Sequence, residues 1–344
     1  MQTVDTICSF FLLEVDKMAN KIELYIYNNV NKKTYAPIIK DKITWTTERK
    51  GVAGKLTFTI VKDSLIDFNE GSSVIFKYNN QNVFFGYVFS KSRDKEHHIQ
   101  VTAYDQLRYL KNKHTYTYEN KTANEVVGMI ASDFLLKTGQ LQNTAYKIPG
   151  KIEDNSTLFD IIQNALNDTL LNTNKVYVLY DDFGSLTLKN IDEMLIDKDF
   201  SVCETMAQNF DYKTSIDDKT YNRIQLYIDD KDTNQRQFTI EQDIETINRY
   251  GILQLTEKLN TNENAKAKAQ TMLKLYNQPT RTLSVKDIFG DIRARAGSSV
   301  YTQLNLGDIL LNGYMLIEKA KHEFSDNEYL MTLDLYRSDF GAKS

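Results

Sequence analysis

The chain has 344 residues, too many for one simple hydrophobic core, so two or three domains are expected. Hydrophobic residues make up 41% and charged residues 26%, while Tyr (21) and Phe (17) far outnumber Pro (3), which favours sheet and excludes long disordered or proline-rich linkers. A net charge of −4 with no basic block argues against a sequence-specific grip on nucleic acid, and no run of about 18 apolar residues exists to span a membrane.

Residues 1–20 read as an N-terminal tail. Ile7–Val15 is apolar but lacks the basic start and small-residue cleavage site of a signal peptide, and Met18 offers an alternative translational start. From 21 to 113 the signals are strands. "KLTFTIV" alternates, with Leu56, Phe58 and Ile60 on one face, and Asn79–Asn82 reads as a hairpin turn between "SVIFKY" and "VFFGYVF". "HHIQVTAYD" alternates again, which puts His97 and His98 on opposite faces and unable to chelate one metal. These short strands predict a first small antiparallel barrel or sandwich.

The period then changes, and 114–200 reads as a mixed α/β domain. Thr122 and Glu125 form a capping box ahead of Val126, Val127, Ile130 and Phe134 at helical spacing. Leu158, Ile161, Ile162, Ala165 and Leu166 mark a second helix, and Asp182-Phe183-Gly184 turns a hairpin between "KVYVLYDD" and "GSLTLKN". From 201 to 344 strands return with one helix, whose stripe is Ala265, Ala269, Met272 and Tyr276, and a second barrel is expected. The fold class is α+β, mainly β: two antiparallel barrels flanking an α/β insert.

A repeat links the two β-rich segments. "VKDSLIDFNEGSSV" (Val61–Val74) returns as "VKDIFGDIRARAGSSV" (Val285–Val300), and each copy is followed by Gly-Tyr, at Gly86-Tyr87 and Gly313-Tyr314. Gly71, Gly86, Gly297 and Gly313 mark its turns and close approaches. Order and spacing point to a duplicated domain, and closed rings are the usual outcome when duplicated halves meet head to tail.

Catalytic, cofactor and metal sites are not expected. There is no His-Glu-x-x-His helix, phosphate loop or dinucleotide fingerprint. The two cysteines, Cys8 and Cys203, lie far apart and in no metal spacing, which suits a reducing compartment. Cys203 with His322 as base, or a carboxylate pair, would make a peptidoglycan hydrolase, and the many tyrosines would suit a cell-wall-binding module. Both stand as alternatives to a structural role. One other stretch is informative: in "VTAYDQLRYLKNK", Asp105 caps a turn, Leu107 and Leu110 pack down, and Arg108 stays free to pair. This is either a plain strand-to-helix junction or an interface formed by Tyr104, Asp105, Arg108 and Tyr109.

"VFFGYV", "VTAYDQLRYLKNK", "KTANEVV", "TLFDIIQNAL" and "YVLYDDFGSLTLKN" together resemble the XkdQ/YqbQ-like baseplate hub proteins of contractile phage tails and phage-tail-like bacteriocins of the PBSX type. The resemblance runs from about Lys21 to Tyr336, and it is loose around Cys203–Asp218. It implies a homotrimer whose paired barrels form a pseudo-sixfold ring. That ring would join a hexameric tail tube protein to a trimeric central spike protein, with tape-measure and baseplate wedge proteins as further partners. It also implies a virion or tail-like particle assembled in the bacterial cytoplasm, with no cofactor, no membrane and DNA free to pass the lumen. Relatives carrying a fused lytic domain would continue past the point corresponding to Ser344.

Overall fold

The computed structural model describes residues 20–206, 209–217, 219–230, 235–259, 264–307 and 309–336; the first nineteen residues of the expected N-terminal tail lie outside these. The strands of the first segment are β1 (Ile22–Asn28), β2 (Lys33–Tyr35), β3 (Ile39–Glu48), β4 (Lys55–Val61), β5 (Ser73–Tyr78), β6 (Gln81–Arg93) and β7 (His98–Tyr104). The alternation in "KLTFTIV" is realised, with Leu56, Phe58 and Ile60 buried. Asn79 and Asn80 take φ of 47° and 64°, the left-handed pair that a tight hairpin needs and that Asn tolerates. His97 departs from the reading above. It sits at φ 66° in the turn before β7, so it does not share a strand with His98.

The middle of the chain contributes β8 (Lys113–Tyr118), α1 (Ala123–Asp133), β9 (Thr138–Leu141), β10 (Lys151–Thr157), α2 (Leu158–Thr173), β11 (Tyr177–Asp181) and β12 (Leu186–Asn190). The Thr122 N–H donates to Glu125 Oε2 at 2.7 Å, half of the capping box that starts α1. Val126, Val127 and Ile130 of α1 pack with Leu158, Ile161 and Ile162 of α2 in one buried cluster.

The last segment holds β13 (Ser201–Cys203), β14 (Asn209–Ser215), β18 (Thr280–Phe289), β19 (Ser299–Asn305), β20 (Leu310–Phe324) and β21 (Tyr329–Tyr336). Between β14 and β18 lie β15 (Arg223–Asp230), β16 (Gln235–Gln242), α3 (Ile244–Tyr250), β17 (Gln254–Lys258) and α4 (Ala265–Tyr276). The helix predicted from its small-residue stripe is α4, with Ala269 and Met272 buried. The short helix α3 was not foreseen because none of its residues is buried, so it leaves no apolar stripe.

The chain divides into two compact units. One comprises Met1–Thr169, Lys175–Asp211 and Leu283–Ser344, and the other Leu170–Asn174 and Tyr212–Thr282. The smaller unit is a three-stranded sheet, β16-β15-β17, with α4 packed over Ile224 and Leu226.

The class is α+β and mainly β. Both β-rich segments join in one thirteen-stranded sheet, whose strand path among the described residues is open: β14-β18-β21-β20-β3-β4-β7-β6-β5-β1-β2, with β19 pairing β20 and β13. This path contains the same order twice. The first segment runs β1-β5-β6-β7-β4-β3 and the last runs β13-β19-β20-β21-β18-β14. The sense of the end pairing differs: β1 meets β5 antiparallel, whereas β13 meets β19 parallel.

Candidate functional site

The two repeats match down to individual hydrogen bonds. Gly71 N–H donates to Val88 O and Val88 N–H to Ser72 O, at 2.8 and 2.9 Å; Gly297 N–H donates to Ile317 O and Ile317 N–H to Ser298 O, each at 2.8 Å. Gly71 (φ +83°) and Gly297 (φ +95°) supply the left-handed step that lets the chain enter the strand at Ser-Ser-Val. A one-residue bulge follows in each copy, between Val88 and Ser90 on β6 and between Ile317 and Lys319 on β20. Bulges and αL turns are backbone features, so this agreement does not depend on similar side chains.

The other parts of the sequence match fall out of register. Gly86 faces Val74, whereas Val300 faces Met315 and Gly313 faces Thr302, two residues further along the hairpin. A Cβ on Gly86 would lie 2.3 Å from Tyr104 O, while Gly313 has open space, so the two glycines do different work. Lys62 N–H bonds His97 O, and it is Gly290 N–H, not Lys286 N–H, that makes the corresponding bond to Tyr329 O. Only the Gly-Ser-Ser-Val element of the repeat marks equivalent positions.

The repeats meet at β3 and β20, in register from Lys319 opposite Glu48 to Phe324 opposite Ile43. Glu318 at the bulge accepts two hydrogen bonds from Arg49, Nε to Oε2 at 2.9 Å and Nη2 to Oε1 at 2.5 Å. Lys319 pairs with Glu48 at 2.8 Å, and this hydrogen bond holds the Lys319 ammonium above its ordinary range. His322 stacks on Trp45 with ring centroids 4.9 Å apart. Beyond it, Phe324 and Tyr329 enter the core of the first repeat beside Phe76 and Tyr78. His322 is fully buried, and burial pushes its imidazole down to about 4, so it is neutral. Its Nε2–H therefore donates to Ala294 O and its Nδ1 accepts from the Tyr329 hydroxyl, both at 2.9 Å.

The predicted group Tyr104, Asp105, Arg108 and Tyr109 splits in two. Asp105 is buried and caps the 3-10 turn Gln106–Lys111, accepting Leu107 N–H at 3.0 Å and Gly54 N–H at 2.9 Å. Burial, reinforced by the nearby Asp181 carboxylate, raises its carboxyl well above the usual range. Arg295 comes from the second repeat, bonds Asp181 O at 3.0 Å and lies over Tyr180, 4.1 Å from the ring centroid. Asp105 thus belongs to an internal tie between segments. Tyr104, Arg108 and Tyr109 are half-buried around Phe89: Tyr104 edge-on at 5.5 Å, Tyr109 tilted at 5.9 Å and Arg108 at 5.4 Å from the ring centroid. Tyr109 also lines a cavity of about 440 Å³ with Phe85, Tyr87, Gln106, Phe134 and Lys137.

Sequence reasoning does not find Trp45, Arg49, Glu318 or His322 as partners. Arg49 and Glu318 are 269 positions apart, and nothing local in "ITWTTER" or "IEKAKHEF" announces the other. The duplication itself is the signal that could have found them, because two halves with matching edges must be joined somewhere. Of the residues weighed for hydrolysis, His322 is enclosed as described, and Cys203 is buried on β13 with its Sγ 3.1 Å from Thr205 Oγ1. Asp94, Glu96 and His98 bring ligand-type atoms within 4.8 Å of one another. Asp94 Oδ1 accepts the N–H of Glu96 and of His98 there, each at 2.9 Å, so the group closes an exposed turn. Among the described residues, no helix is long and apolar enough to cross a membrane.

Comparison with known proteins places this architecture. The Bacillus subtilis (strain 168) protein YqbQ is 29% identical over 328 residues, covering 91% of this chain and 96% of its own. The phage-like element PBSX protein XkdQ from the same organism is 28% identical over 325 residues with the same coverage. Among solved structures, the 43 kDa tail protein of prophage MuSo2 from Shewanella oneidensis superposes with a TM-score of 0.66 at 13% identity, covering 92% of this chain and 98% of that one, a likeness of fold. The YQBQ-like family model matches residues 43–336, from the joint strand β3 to the end of β21, and the chain belongs to the YQBQ-like family.

Proposed function

We propose that this protein is a structural baseplate hub of a contractile phage tail or tail-like particle. Three copies form a symmetry adaptor between a hexameric tail tube and a trimeric central spike. The observation that carries this is the duplicated six-strand order, with equivalent Gly-Ser-Ser-Val hydrogen bonds, inside a single sheet. Two equivalent halves per chain are what a threefold object needs in order to present a near-sixfold face. A relative within a phage-like element and the fold of a prophage tail protein support the same reading. The work is done by interfaces, not by chemistry. Tube and spike proteins bind opposite faces, tape-measure and wedge proteins are the remaining neighbours, and assembly takes place in the bacterial cytoplasm.

End-on negative-stain class averages of the purified protein test the proposal. Threefold rings with six similar lobes around a channel are the expected result. Particles that stay single at all concentrations, alone and with tube and spike proteins added, overturn it.

A further inference from the structure

The joint between the repeats exists once in the chain, but the duplication supplies the parts for a second. β3 pairs with the distal half of β20, Lys319–Phe324. In the strand order β14 takes the place of β3, and β6 takes the place of β20. The equivalence of Val88 with Ile317 and the shared bulge carry Lys319–His322 onto Ser90–Arg93. Where β20 is covered by β3, Ser90, Lys91, Ser92 and Arg93 are all exposed. Where β3 buries Ile43 and Trp45, β14 buries no side chain, and Phe210 is 43% exposed.

We infer that β14 of one copy pairs antiparallel with the distal half of β6 of the next copy, reproducing between chains the β3–β20 joint. This rests on the ring proposed above and names its contacts. Asp94 N–H donates to His98 O on the β7 side, so by alternation Lys91 and Arg93 turn their N–H and C=O outward, as Ala320 and His322 do toward β3. Aligning Phe210, Tyr212 and Thr214 with Ile43, Trp45 and Thr47 sets Ser90 against Ser215, Lys91 against Thr214, Ser92 against Lys213 and Arg93 against Tyr212. Thr280 Oγ1 bonds Ser215 O at 3.1 Å, which anchors the far end of β14 at the start of β18. The threonine is informative in its own right. Thr47 Oγ1 accepts Ala296 N–H at 3.0 Å, the residue before Gly297, and Thr214 would take the N–H of exposed Glu70, the residue before Gly71.

The chemistry of the two edges also fits a contact made late. The joint inside the chain buries Phe324 and Tyr329. The edges left for a neighbour are serine, lysine, arginine, threonine and one tyrosine, which stay soluble until they pair. Arg93 would lie over Tyr212 as His322 lies over Trp45. The partner is a second copy of this chain, and pairing repeated head to tail closes a ring.

Ser92 and Lys213 would form a non-hydrogen-bonded pair, whose Cα separation of about 4.5 Å lies within disulfide reach. The test oxidises the full-length Ser92→Cys, Lys213→Cys double variant and reads non-reducing gels beside mass photometry, with each single variant as control. Covalent dimers and trimers in the double variant alone are expected. Arg93→Pro removes the outward N–H together with the guanidinium that would lie over Tyr212, and should weaken ring assembly roughly tenfold, with thermal unfolding of the monomer unchanged. Trimers that form without the cross-link, and that Arg93→Pro leaves equally tight, overturn this joint while the ring survives. A chain that stays monomeric with tube and spike proteins present overturns the ring and the joint together.

Discussion

The first and last β segments share strand order, bulge and turn hydrogen bonds, yet they spend their side chains differently. In the first, the β6–β7 hairpin ends in a tight polar turn at Asp94–His98. In the last, the corresponding hairpin runs on to Phe324 and Tyr329, which pack against each other with centroids 4.2 Å apart inside the partner repeat. The first segment crosses from β3 to β4 by a short loop, whereas the last places β15, β16, α3, β17 and α4 between β14 and β18. The difference teaches which features the duplicated fold needs. Backbone geometry at the Gly-Ser-Ser-Val entry and at the bulge is fixed by hydrogen bonding, while hairpin tips and crossovers are free to take on separate tasks.

The sharpest way to break the comparison is at the joint that only one pair of strands makes. Trp45 is 5% exposed, stacks on His322 and has no counterpart of its size on β14. Trp45→Ala removes the largest side chain at this contact and costs about 3–5 kcal/mol. Urea denaturation checks it. A loss under about 1 kcal/mol, the range of ordinary surface changes, means that the repeats do not depend on the stack.

The two equivalent turns sharpen it next. Gly71 and Gly297 share a positive φ, but a Cβ at Gly297 would lie 2.8 Å from Val178 Cγ2, and at Gly71 it would meet nothing within 4 Å. Gly71→Ala therefore costs the left-handed strain alone, about 1 kcal/mol, and Gly297→Ala adds an overpacking penalty for a total of about 3 kcal/mol. Equal losses in thermal unfolding would show that Val178 moves aside freely.

These residues also show what the sequence could tell. Strands with one buried face were legible because alternation is local, as in Leu56, Phe58 and Ile60, and so was the helix carrying Ala269 and Met272. The duplication was legible through Gly71 and Gly297, where backbone geometry demands glycine. What stayed hidden was pairing over long separations: β3 with β20, or Asp105 reaching the same buried tie as Arg295. The strand end at Val-Lys-Asp misled because lysine and aspartate are common there, and Asp287 takes φ 56°, so the last segment carries irregular backbone where β4 has none.

A pH change separates the repeats without mutation. The neutral His322 has an ordinary value near 6.5 when unfolded and about 4 when folded, so the unfolded chain binds the extra proton first. The stability this provides is complete above pH 6.5 and is lost as pH falls toward 4. It amounts to about 2 kcal/mol between pH 7 and pH 5. The groups facing the ring are the Tyr329 hydroxyl and Ala294 O, with Asp291 and Arg295 acting from further off. His322→Gln keeps both hydrogen bonds and should flatten melting temperature against pH in this window. An unchanged slope would assign the effect to other groups.

The smallest contrast lies at the bulge, where both repeats put one residue beneath an arginine. Glu318 holds Arg49 through two hydrogen bonds, with the arginine side chain only 12% exposed, whereas Phe89 takes the Arg108 guanidinium over its ring. A double-mutant cycle on Arg49 and Glu318 should give a coupling of about 1 kcal/mol, weakened by salt because both partners are charged and reach solvent. The same cycle on Arg108 and Phe89 should give about 0.5 kcal/mol, because an aromatic face offers a quadrupole in place of a full charge. High salt should narrow the gap between the two cycles. If instead it widens, the Arg49 contact is one of packing and the bulge serves the same purpose in both halves.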